Sequence, residues 1–333
     1  MNFSTDILFV VPSSRPRFKE ESIGTLIIAK KAQLAGYNVK IARYWNVYHT
    51  PSNNYMKFRD EFVSYILSQN PRIISFYCRC EEYHVCIDLS RLIKEKNKKI
   101  QIAFGGPQAE LVAKETLNNF SYVDYICCSE GEKTIVPFLM HICNNKIPIT
   151  SVEGLTYRDN LGQIHQNRFP DFLEDNYIRQ YNYYDLIPSE IMNGCDDVYI
   201  DVGRGCPFSC IYCSTKTFWK RKYRLRNINN IINEIDYVSS TYGITTFNFM
   251  HDLFTVDKKR ITYFCKELNN RKLKIKWSCD SRIGTIDEET INLMIESGLY
   301  QIFFGIETGS DRMQDFINKH LDLEECDKII NIV

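Results

Sequence analysis

Three cysteines in the middle of the chain have a spacing that suits iron–sulfur chemistry. Cys206, Cys210 and Cys213 are separated by three and by two residues, and they follow a short apolar run at residues 198–200. Three thiolates can bind three corners of a cubic iron–sulfur cluster and leave the fourth iron open. An open position is what a catalytic metal centre requires. A zinc site completed by a distant residue, and thiols that only pack in a core, are the other interpretations of this spacing.

The residues around the cysteines predict a tight loop at the end of a strand. Gly203 and Gly205 free the backbone to turn, and Pro207 ends regular strand pairing. No fourth cysteine lies in this loop, and the next ones along the chain are Cys195 and Cys265. Because an electron-carrying cluster normally has four cysteine ligands, the lack of a fourth favours a catalytic cluster.

This loop resembles the signature of the radical S-adenosylmethionine (SAM) enzymes. The resemblance implies that Cys206, Cys210 and Cys213 ligate a 4Fe-4S cluster whose open iron chelates the amino and carboxylate groups of SAM. Transfer of one electron to the sulfonium then cleaves SAM to methionine and a 5'-deoxyadenosyl radical. Tyr212, just before the third cysteine, matches a position that lies beside the adenine. In such enzymes the cofactors supply the difficult chemistry, and the protein positions them and excludes water.

The second half of the chain carries further matches to this family at the ends of predicted strands. His251 and Asp252 follow the strand predicted at residues 246–250. In the family this position carries acidic residues that bind the SAM amino group, so the resemblance assigns that role to Asp252. His251 stands where related sequences often have a first acid, and it is either a proton donor or only a neighbour of the site.

Two later strand ends also resemble the family. Arg282 follows the third predicted strand and resembles an arginine near the SAM carboxylate or ribose. A guanidinium suits carboxylate geometry, and a structural ion pair with Asp280 is the alternative. Residues 305–310, Gly-Ile-Glu-Thr-Gly-Ser, follow the fourth predicted strand. The resemblance implies that Glu307 bonds the ribose or the amino-acid end of SAM and that Gly305 allows its close approach.

The first half of the chain alternates between predicted strands and helices. Strands are predicted at residues 7–11, 39–42, 73–77, 100–104 and 122–126, and amphipathic helices follow them. The continuous apolar run of the first strand is typical of a strand buried on both faces. Repeated strand–helix units predict an α/β fold with a doubly wound parallel sheet, whose ligands bind beyond the carboxyl ends of the strands.

This half resembles the cobalamin-binding domain, of Rossmann type, that precedes many radical SAM cores. The matching segments are residues 104–109, 123–125 and 129–132. The resemblance implies that Gly105 and Gly106 let the backbone approach the corrin or its nucleotide tail, although a glycine pair after a strand is also a common turn. None of the six histidines has the Asp-x-His-x-x-Gly context of a cobalt ligand, which many cobalamin-dependent radical SAM enzymes also lack.

The sequence predicts three segments along the chain. They are a cobalamin-binding-like domain at residues 1–150, a hairpin and connector at 151–194, and a radical SAM core at 195–333. The family's barrel usually has six strands, and only four are predicted here. We therefore expect a partial (β/α) barrel, truncated after the fourth strand unless another chain or an unusual edge closes the sheet. An open parallel edge exposes unpaired backbone groups, so we expect this chain alone to bind SAM weakly.

Composition argues against several other classes of protein. The chain has 333 residues, 44% of them hydrophobic, and its 41 basic residues balance 41 acidic ones, so no global charge attracts nucleic acid or an anionic membrane. No apolar run is long enough to span a bilayer, and no signal peptide is recognisable. Thirteen cysteines, an odd number in a chain with an ample core, favour a reducing cytoplasm over a disulfide framework.

The leading hypothesis is a cobalamin-dependent radical SAM methyltransferase that acts on an unactivated carbon or on phosphorus. Its expected partners are a small-molecule or peptide substrate and an external electron donor such as flavodoxin or ferredoxin, with no nucleic acid and no membrane. One alternative is a radical SAM enzyme that closes a ring, rearranges or oxidises its substrate without cobalamin. Another is a non-catalytic iron–sulfur protein or an inactive fragment.

Overall fold

The structure is a computed structural model that describes residues 3–12, 22–43, 47, 54–179 and 181–333. The predicted α/β fold class is confirmed, and the chain divides into two compact units. The first unit consists of Met1–Phe172 and Tyr183–Leu186, and the second consists of Leu173–Asn182 and Ile187–Val333. The domain boundaries near residues 150 and 194 stay predictions.

A seven-stranded sheet forms the centre of the first unit. Its strands are β1 (Thr5–Val11), β2 (Val39–Arg43), β3 (Pro71–Tyr77), β4 (Gln101–Gly105), β5 (Tyr125–Cys127), β6 (Leu155–Arg158) and β7 (Ile164–Gln166). They lie in the order β2-β1-β3-β4-β5-β6-β7. The pairs from β2 to β5 are parallel. Ile7, Leu8 and Val10 of β1 are fully buried, as expected of a strand that is covered on both faces.

Helices cover both faces of this sheet. They are α1 (Ile23–Leu34), α2 (Tyr55–Ser68), α3 (Tyr83–Lys96), α4 (Pro107–Leu111), α5 (Ala113–Asn119) and α6 (Gly131–Asn144). On one face, Phe62 of α2 packs in a cluster with Phe76 and Phe104 of the sheet. On the other face, Ala29 of α1 and Phe138 of α6 belong to a second cluster. The doubly wound sheet predicted for this half is therefore confirmed.

The bounds of two strands differ from the prediction. β3 begins at Pro71, two residues early, because a proline at the first position of a strand removes no necessary ladder bond. β5 begins at Tyr125 rather than at residue 122. Just before it, the Asp124 carboxylate accepts a hydrogen bond from the backbone N–H of Ile102 at 2.7 Å. A side chain therefore replaces a backbone carbonyl as the acceptor at this point.

The hairpin predicted within residues 151–194 is present, and it continues the first sheet. β6 pairs antiparallel with β5, with Tyr157 opposite Tyr125. β7 pairs antiparallel with β6, with His165 opposite Tyr157. The turn between β6 and β7 is held by Asp159, whose carboxylate accepts the backbone N–H groups of Leu161 and Gln163 at 2.9 and 2.8 Å.

The second unit contains a four-stranded parallel sheet and a short antiparallel ribbon. Its strands are β8 (Asp197–Asp201), β9 (Gly203–Arg204), β10 (Arg224–Leu225), β11 (Thr246–Met250), β12 (Lys276–Ser281) and β13 (Leu299–Phe304). Its helices are α7 (Ser189–Met192), α8 (Thr215–Phe218), α9 (Ile228–Tyr242), α10 (Lys258–Asn270), α11 (Glu288–Glu296), α12 (Asp311–Phe316) and α13 (Leu323–Ile330). The sheet order is β13-β12-β11-β8, and β9 pairs with β10.

Helices α9 to α11 contribute the buried side chains that cover one face of this second sheet. Phe249 of β11 stacks on Trp277 of β12 at 5.2 Å between ring centroids, and both contact Phe264 of α10. The alternate residues Tyr199 and Met250 point to the opposite face and are about half exposed. The described residues place four strands in this sheet, and the truncated barrel stays a prediction.

Candidate functional site

The three cysteines lie in a loop that leaves β9 at the carboxyl end of the second sheet. Their thiols form no disulfide; Cys210 is buried, and Cys206 and Cys213 are partly buried. The loop turns tightly, because the backbone N–H of Cys213 donates to the carbonyl of Cys210 at 3.2 Å. Burial raises the pKa of the Cys206 thiol, the backbone N–H of Phe208 opposes this shift, and the negative charge of Asp252 adds to it.

The donor set of this loop suits an iron–sulfur cluster. Among the described residues, no three His, Cys, Asp or Glu side chains converge where they could hold one metal ion. In a cubic cluster each thiolate binds a different iron, so the three thiols need not converge. Three free thiols in one loop are therefore suited to three corners of a 4Fe-4S cluster.

Two glycines allow the loop to form. Gly205 has a φ of +84°, and a Cβ there would collide with the Lys222 carbonyl. Gly203 faces His251 and the Arg224 carbonyl, and a Cβ there would collide with both. The predicted turn is confirmed at Gly205, whereas Gly203 lies in β9, where the close approach of β10 and of the strand end of β11 leaves no room for a side chain.

Asp252, at the end of β11, contacts the cysteine loop directly. Its Oδ2 accepts the backbone N–H of Gly205 at 2.8 Å, and its Oδ1 accepts the Thr215 hydroxyl at 3.3 Å. Gly205 precedes the first cysteine and Thr215 follows the third, so one carboxylate braces both ends of the loop. The structure thus places Asp252 beside the cysteines, and its contact with the SAM amino group stays a prediction.

His251 is a structural neighbour of the loop. It is 5% exposed, and its Nδ1 accepts the backbone N–H of Leu253 at 2.8 Å. Because Nδ1 accepts, Nε2 carries the proton and donates to the Arg224 carbonyl at 3.3 Å. Burial lowers the pKa of His251, which keeps the ring neutral in the fold. Both nitrogens are thus used inside the unit, which favours the neighbour interpretation over the proton donor.

Arg282 also reaches the cysteine loop. Its guanidinium lies over the ring of Phe208, 4.1 Å from the centroid, and its Nη2 donates to the carbonyl of Lys319. These contacts replace the ion pair with Asp280 that was the structural alternative. Burial and the charge of Asp252 raise the pKa of the Asp280 carboxyl.

Tyr212, Glu307 and Gly305 meet around a lysine that sequence reasoning missed. Lys319 Nζ lies 2.9 Å from the Tyr212 hydroxyl and 3.0 Å from Glu307 Oε1. A Cβ on Gly305 would lie 2.8 Å from that Glu307 oxygen and 3.0 Å from the Lys319 nitrogen, so the glycine makes room for the ion pair. Lys319 lowers the pKa of Glu307, whereas burial, together with Glu307, raises the pKa of Tyr212. No sequence motif marks Lys319, because it follows a short helix in a polar turn.

The glycine pair of the first unit lies at the carboxyl end of β4. Gly106 has a φ of +102°, and a Cβ there would lie 2.9 Å from the carbonyl oxygen of Cys78. The Cys78 backbone N–H donates to the Gly105 carbonyl at 2.8 Å, so the ends of β3 and β4 touch here. The turn interpretation therefore explains Gly106. Contact of Gly105 or Gly106 with a corrin stays a prediction.

Family models match both halves of the chain. The radical SAM superfamily model matches residues 200–333, and the B12 binding domain model matches residues 14–139. An uncharacterized methyltransferase of Pyrococcus horikoshii is 26% identical over 253 residues, which are 75% of this chain and 54% of the relative. The cytidylyl-2-hydroxyethylphosphonate methyltransferase of Streptomyces wedmorensis is 24% identical and covers 92% of this chain and 65% of its own. An anaerobic magnesium-protoporphyrin IX monomethyl ester cyclase of Rubrivivax gelatinosus is 24% identical over 91% of this chain and 55% of its own.

Solved structures share the fold. The cobalamin-dependent SAM radical enzyme OxsB, with aqua-cobalamin and SAM bound, superposes with a TM-score of 0.77 at 17% identity, over 96% of this chain and 46% of OxsB. The radical SAM methyltransferase TsrM from Kitasatospora setae gives 0.75 at 13% identity, over 99% of this chain and 65% of TsrM. The chain thus spans about half to two thirds of the length of the relatives named here. A radical SAM domain thus occupies residues 200–333 of the chain, and a B12-binding domain at residues 14–139 precedes it.

Proposed function

We propose that this chain belongs to a cobalamin-dependent radical SAM enzyme whose reaction is a methyl transfer. The observation that carries the proposal is the combination, in one chain, of a B12-binding domain with a loop of three free cysteines at the carboxyl end of a parallel sheet. When bound, the cluster, SAM and cobalamin supply electron transfer, radical generation and methyl carriage. The protein's part is to bind these groups, orient them and exclude water.

The three cysteines are the proposed cluster ligands. Cys206, Cys210 and Cys213 supply three thiolates, and the loop has no fourth cysteine to close the last corner. The burial that raises the pKa of Cys206 disfavours a bare thiolate, so the thiol releases its proton when iron binds. The open corner is the proposed binding position for SAM.

The proposed SAM ligands surround the same loop. Each carboxylate oxygen of Asp252 accepts one hydrogen bond from the loop, which leaves a second lone pair on each oxygen. The carboxylate can therefore also accept a hydrogen bond from an ammonium group. Arg282 donates to one protein carbonyl, and a guanidinium has five N–H donors, which leaves donors for a carboxylate. Glu307 is ionised by its pairing with Lys319 and is a suitable acceptor for ribose hydroxyls. Tyr212, half exposed beside the third cysteine, is the proposed neighbour of the adenine.

Cobalamin is proposed to bind at the carboxyl ends of β3 to β5 in the first unit. In open parallel sheets, ligands bind in the crevice beyond these ends. Gly105 is the better candidate for close approach, because a Cβ there would meet only Cys127 atoms at 3.9 and 4.0 Å. Gly106 is needed by the turn itself.

The names of the relatives favour methyl transfer but keep a second reaction open. Two of the relatives described above are methyltransferases, which supports transfer of a methyl group. The cyclase of Rubrivivax gelatinosus, which matches over 91% of this chain, supports a ring-forming radical reaction as the second candidate. The proposed partners are a small-molecule or peptide substrate and an electron donor such as flavodoxin or ferredoxin, in the cytoplasm. Among the described residues, no helix is long and apolar enough to cross a bilayer.

The function is tested by anaerobic reconstitution with iron, sulfide and cobalamin. We expect a 4Fe-4S Mössbauer signal, 5'-deoxyadenosine on addition of SAM and a reductant, and a corrin absorbance that survives gel filtration. A Cys210→Ala variant is the matched control and should lose the first two signals while it keeps the corrin. Loss of the corrin from the unaltered chain would favour the second candidate, and absence of 5'-deoxyadenosine would leave only a non-catalytic iron–sulfur protein.

A further inference from the structure

The short helix α12 holds the loop that contains Glu307. Gln314 is 1% exposed, and its Nε2 donates to the carbonyls of Ile306 and Thr308 at 2.8 and 2.7 Å. These two carbonyls flank Glu307, whose φ of +69° lies in the left-handed region. A non-glycine residue keeps that conformation only where its surroundings enforce it. Gln314 therefore fixes the backbone that presents the Glu307 carboxylate.

The turn after α12 holds the cysteine loop. The Ile317 carbonyl accepts the backbone N–H of Ile211 at 3.0 Å. The Asn318 side-chain amide donates to the backbone carbonyl and to the hydroxyl of Ser209, at 3.0 and 2.9 Å. Ser209 and Ile211 flank Cys210, so consecutive residues of one turn fasten the middle of the cluster loop.

Lys319 joins these two sets of contacts. Its side chain is 8% exposed, and its ammonium group bonds both Tyr212, in the cysteine loop, and Glu307, after β13. Its carbonyl accepts from Arg282, whose guanidinium covers Phe208 of the same loop. A buried ammonium is costly unless it is paired. An ion pair that only stabilises the fold needs one carboxylate partner. Lys319 has two partners, and both are residues proposed to contact SAM.

We propose that Lys319 is a positioning residue that locks Tyr212 and Glu307 in place beside the three cysteines before SAM binds. This inference rests on the proposed function for the identity of the ligand, but the locking itself does not depend on any cofactor. Lysine suits the role because one compact ammonium offers three donors and reaches two acceptors on different segments. Gly305 leaves the space that this geometry needs. Preorganisation of this kind increases affinity by removing the cost of ordering the site on binding.

The first test compares hydrogen–deuterium exchange in the full chain before cluster reconstitution. Lys319→Met keeps the length of the side chain and removes the charge. We expect faster exchange at residues 206–213 and 305–308. Lys258→Met is the matched control, because Lys258 also pairs with a carboxylate, Asp287, at 2.8 Å, but on an exposed surface. If Lys319→Met and Lys258→Met give the same exchange in both segments, the locking role is overturned.

The second test follows the EPR spectrum of the reduced, reconstituted chain as SAM is added. We expect Lys319→Met to raise the SAM concentration that gives the half-maximal spectral change by about tenfold, the effect of losing a charged hydrogen bond. Tyr212→Phe removes only one hydroxyl and leaves the Lys319–Glu307 pair, so it folds even if Lys319→Met does not. It should raise the same concentration by a smaller factor, and an unchanged value would overturn the inference. If the unaltered chain shows no response to SAM, the proposed function fails, while the exchange comparison still decides the role of Lys319.

Discussion

At the scale of the residue, Asp252 combines two tasks that a substitution can separate. Its carboxylate braces the cysteine loop through Gly205 and Thr215, and it is the proposed acceptor for the SAM ammonium group. A carboxamide has the same shape and one oxygen, so it can keep the Gly205 bond. The Thr215 hydroxyl can rotate and accept from the new NH₂ group. Only the negative charge is lost.

We therefore expect Asp252→Asn to fold and to bind SAM poorly. Its melting temperature should stay within a few degrees of that of the unaltered chain, and SAM affinity should fall about tenfold or more, since a bond to a charged group is lost. Asp252→Ala, which removes both tasks, should lower both quantities. Equal SAM affinity for Asp252→Asn and the unaltered chain would show that this carboxylate does not bind the cofactor.

His251 makes the stability of the second unit depend on pH. Burial lowers its pKa below the ordinary value of 6.5, so between the two values the unfolded chain binds a proton that the folded chain excludes. The His251 contribution to stability is fully present above pH 6.5 and is lost as the pH falls below it, by up to about 1.4 kcal/mol per pH unit. His251→Asn can keep the bond to Leu253 through its Oδ1.

We expect the stability of His251→Asn to depend less on pH in the acidic range than the stability of the unaltered chain. Urea midpoints measured between pH 8 and pH 5 should fall less steeply in the variant than in the unaltered chain. The exposed His320 is the control position, because its two ring nitrogens bond the polar side chains of Asp315 and Asn318, each at 2.9 Å. A His251→Asn profile parallel to that of the unaltered chain would contradict the assigned shift.

At the scale of the element, the cysteine loop depends on the glycine that precedes its first cysteine. Gly205 has a positive φ, and a Cβ there would strike the carbonyl of Lys222. Gly205→Ala should therefore displace β10 from the loop and lower iron and sulfide incorporation, with a drop in melting temperature. Gly309→Ala is the matched control, because a Cβ at Gly309 meets nothing within 4 Å. Equal iron content in both variants would show that the loop tolerates the displacement.

Features encoded by local sequence patterns could be predicted, whereas contacts between residues far apart in the sequence could not. Continuous apolar runs mark β1 and β3 because both faces of these strands are buried, and the spacing of Cys206, Cys210 and Cys213 marks the loop because its ligands are local. Lys319 and Gln314 escaped prediction for the opposite reason. Lys319 meets Tyr212 across 107 positions of sequence, and no local periodicity encodes such a contact. The hairpin was predictable from its turn, but its pairing with β5 is a tertiary outcome.

At the scale of the whole molecule, the chain passes between its two units more than once. Leu173–Asn182 belongs to the second unit, Tyr183–Leu186 belongs to the first, and the rest of the chain from Ile187 is in the second. Within the second unit, Arg179 is 4% exposed and pairs with Glu234, which also accepts from Arg226 at 2.9 Å. The second unit is therefore not contained in residues 187–333 alone.

We expect Arg179→Ala to destabilise the second unit by on the order of 3 kcal/mol, because it removes one partner of a buried ion pair. Arg168→Ala is the control, since Arg168 pairs with Asp171 at 3.3 Å on an exposed surface. That change should cost less than about 1 kcal/mol. Thermal denaturation of the full chain measures both, and equal melting temperatures would show that Arg179 contributes no more to stability than an exposed arginine.

The hairpin of the first unit also bears on how the protein behaves at high concentration. An uncovered strand edge is a template on which a second molecule can add its own strand. Without β6 and β7 the uncovered edge would be β5, whose residue Ile126 is fully buried in the core. With them, the outermost strand on this side is β7, which has three residues, two of them exposed and polar. Such an edge is a poor template for strand addition, so the hairpin protects this side of the first sheet from aggregation.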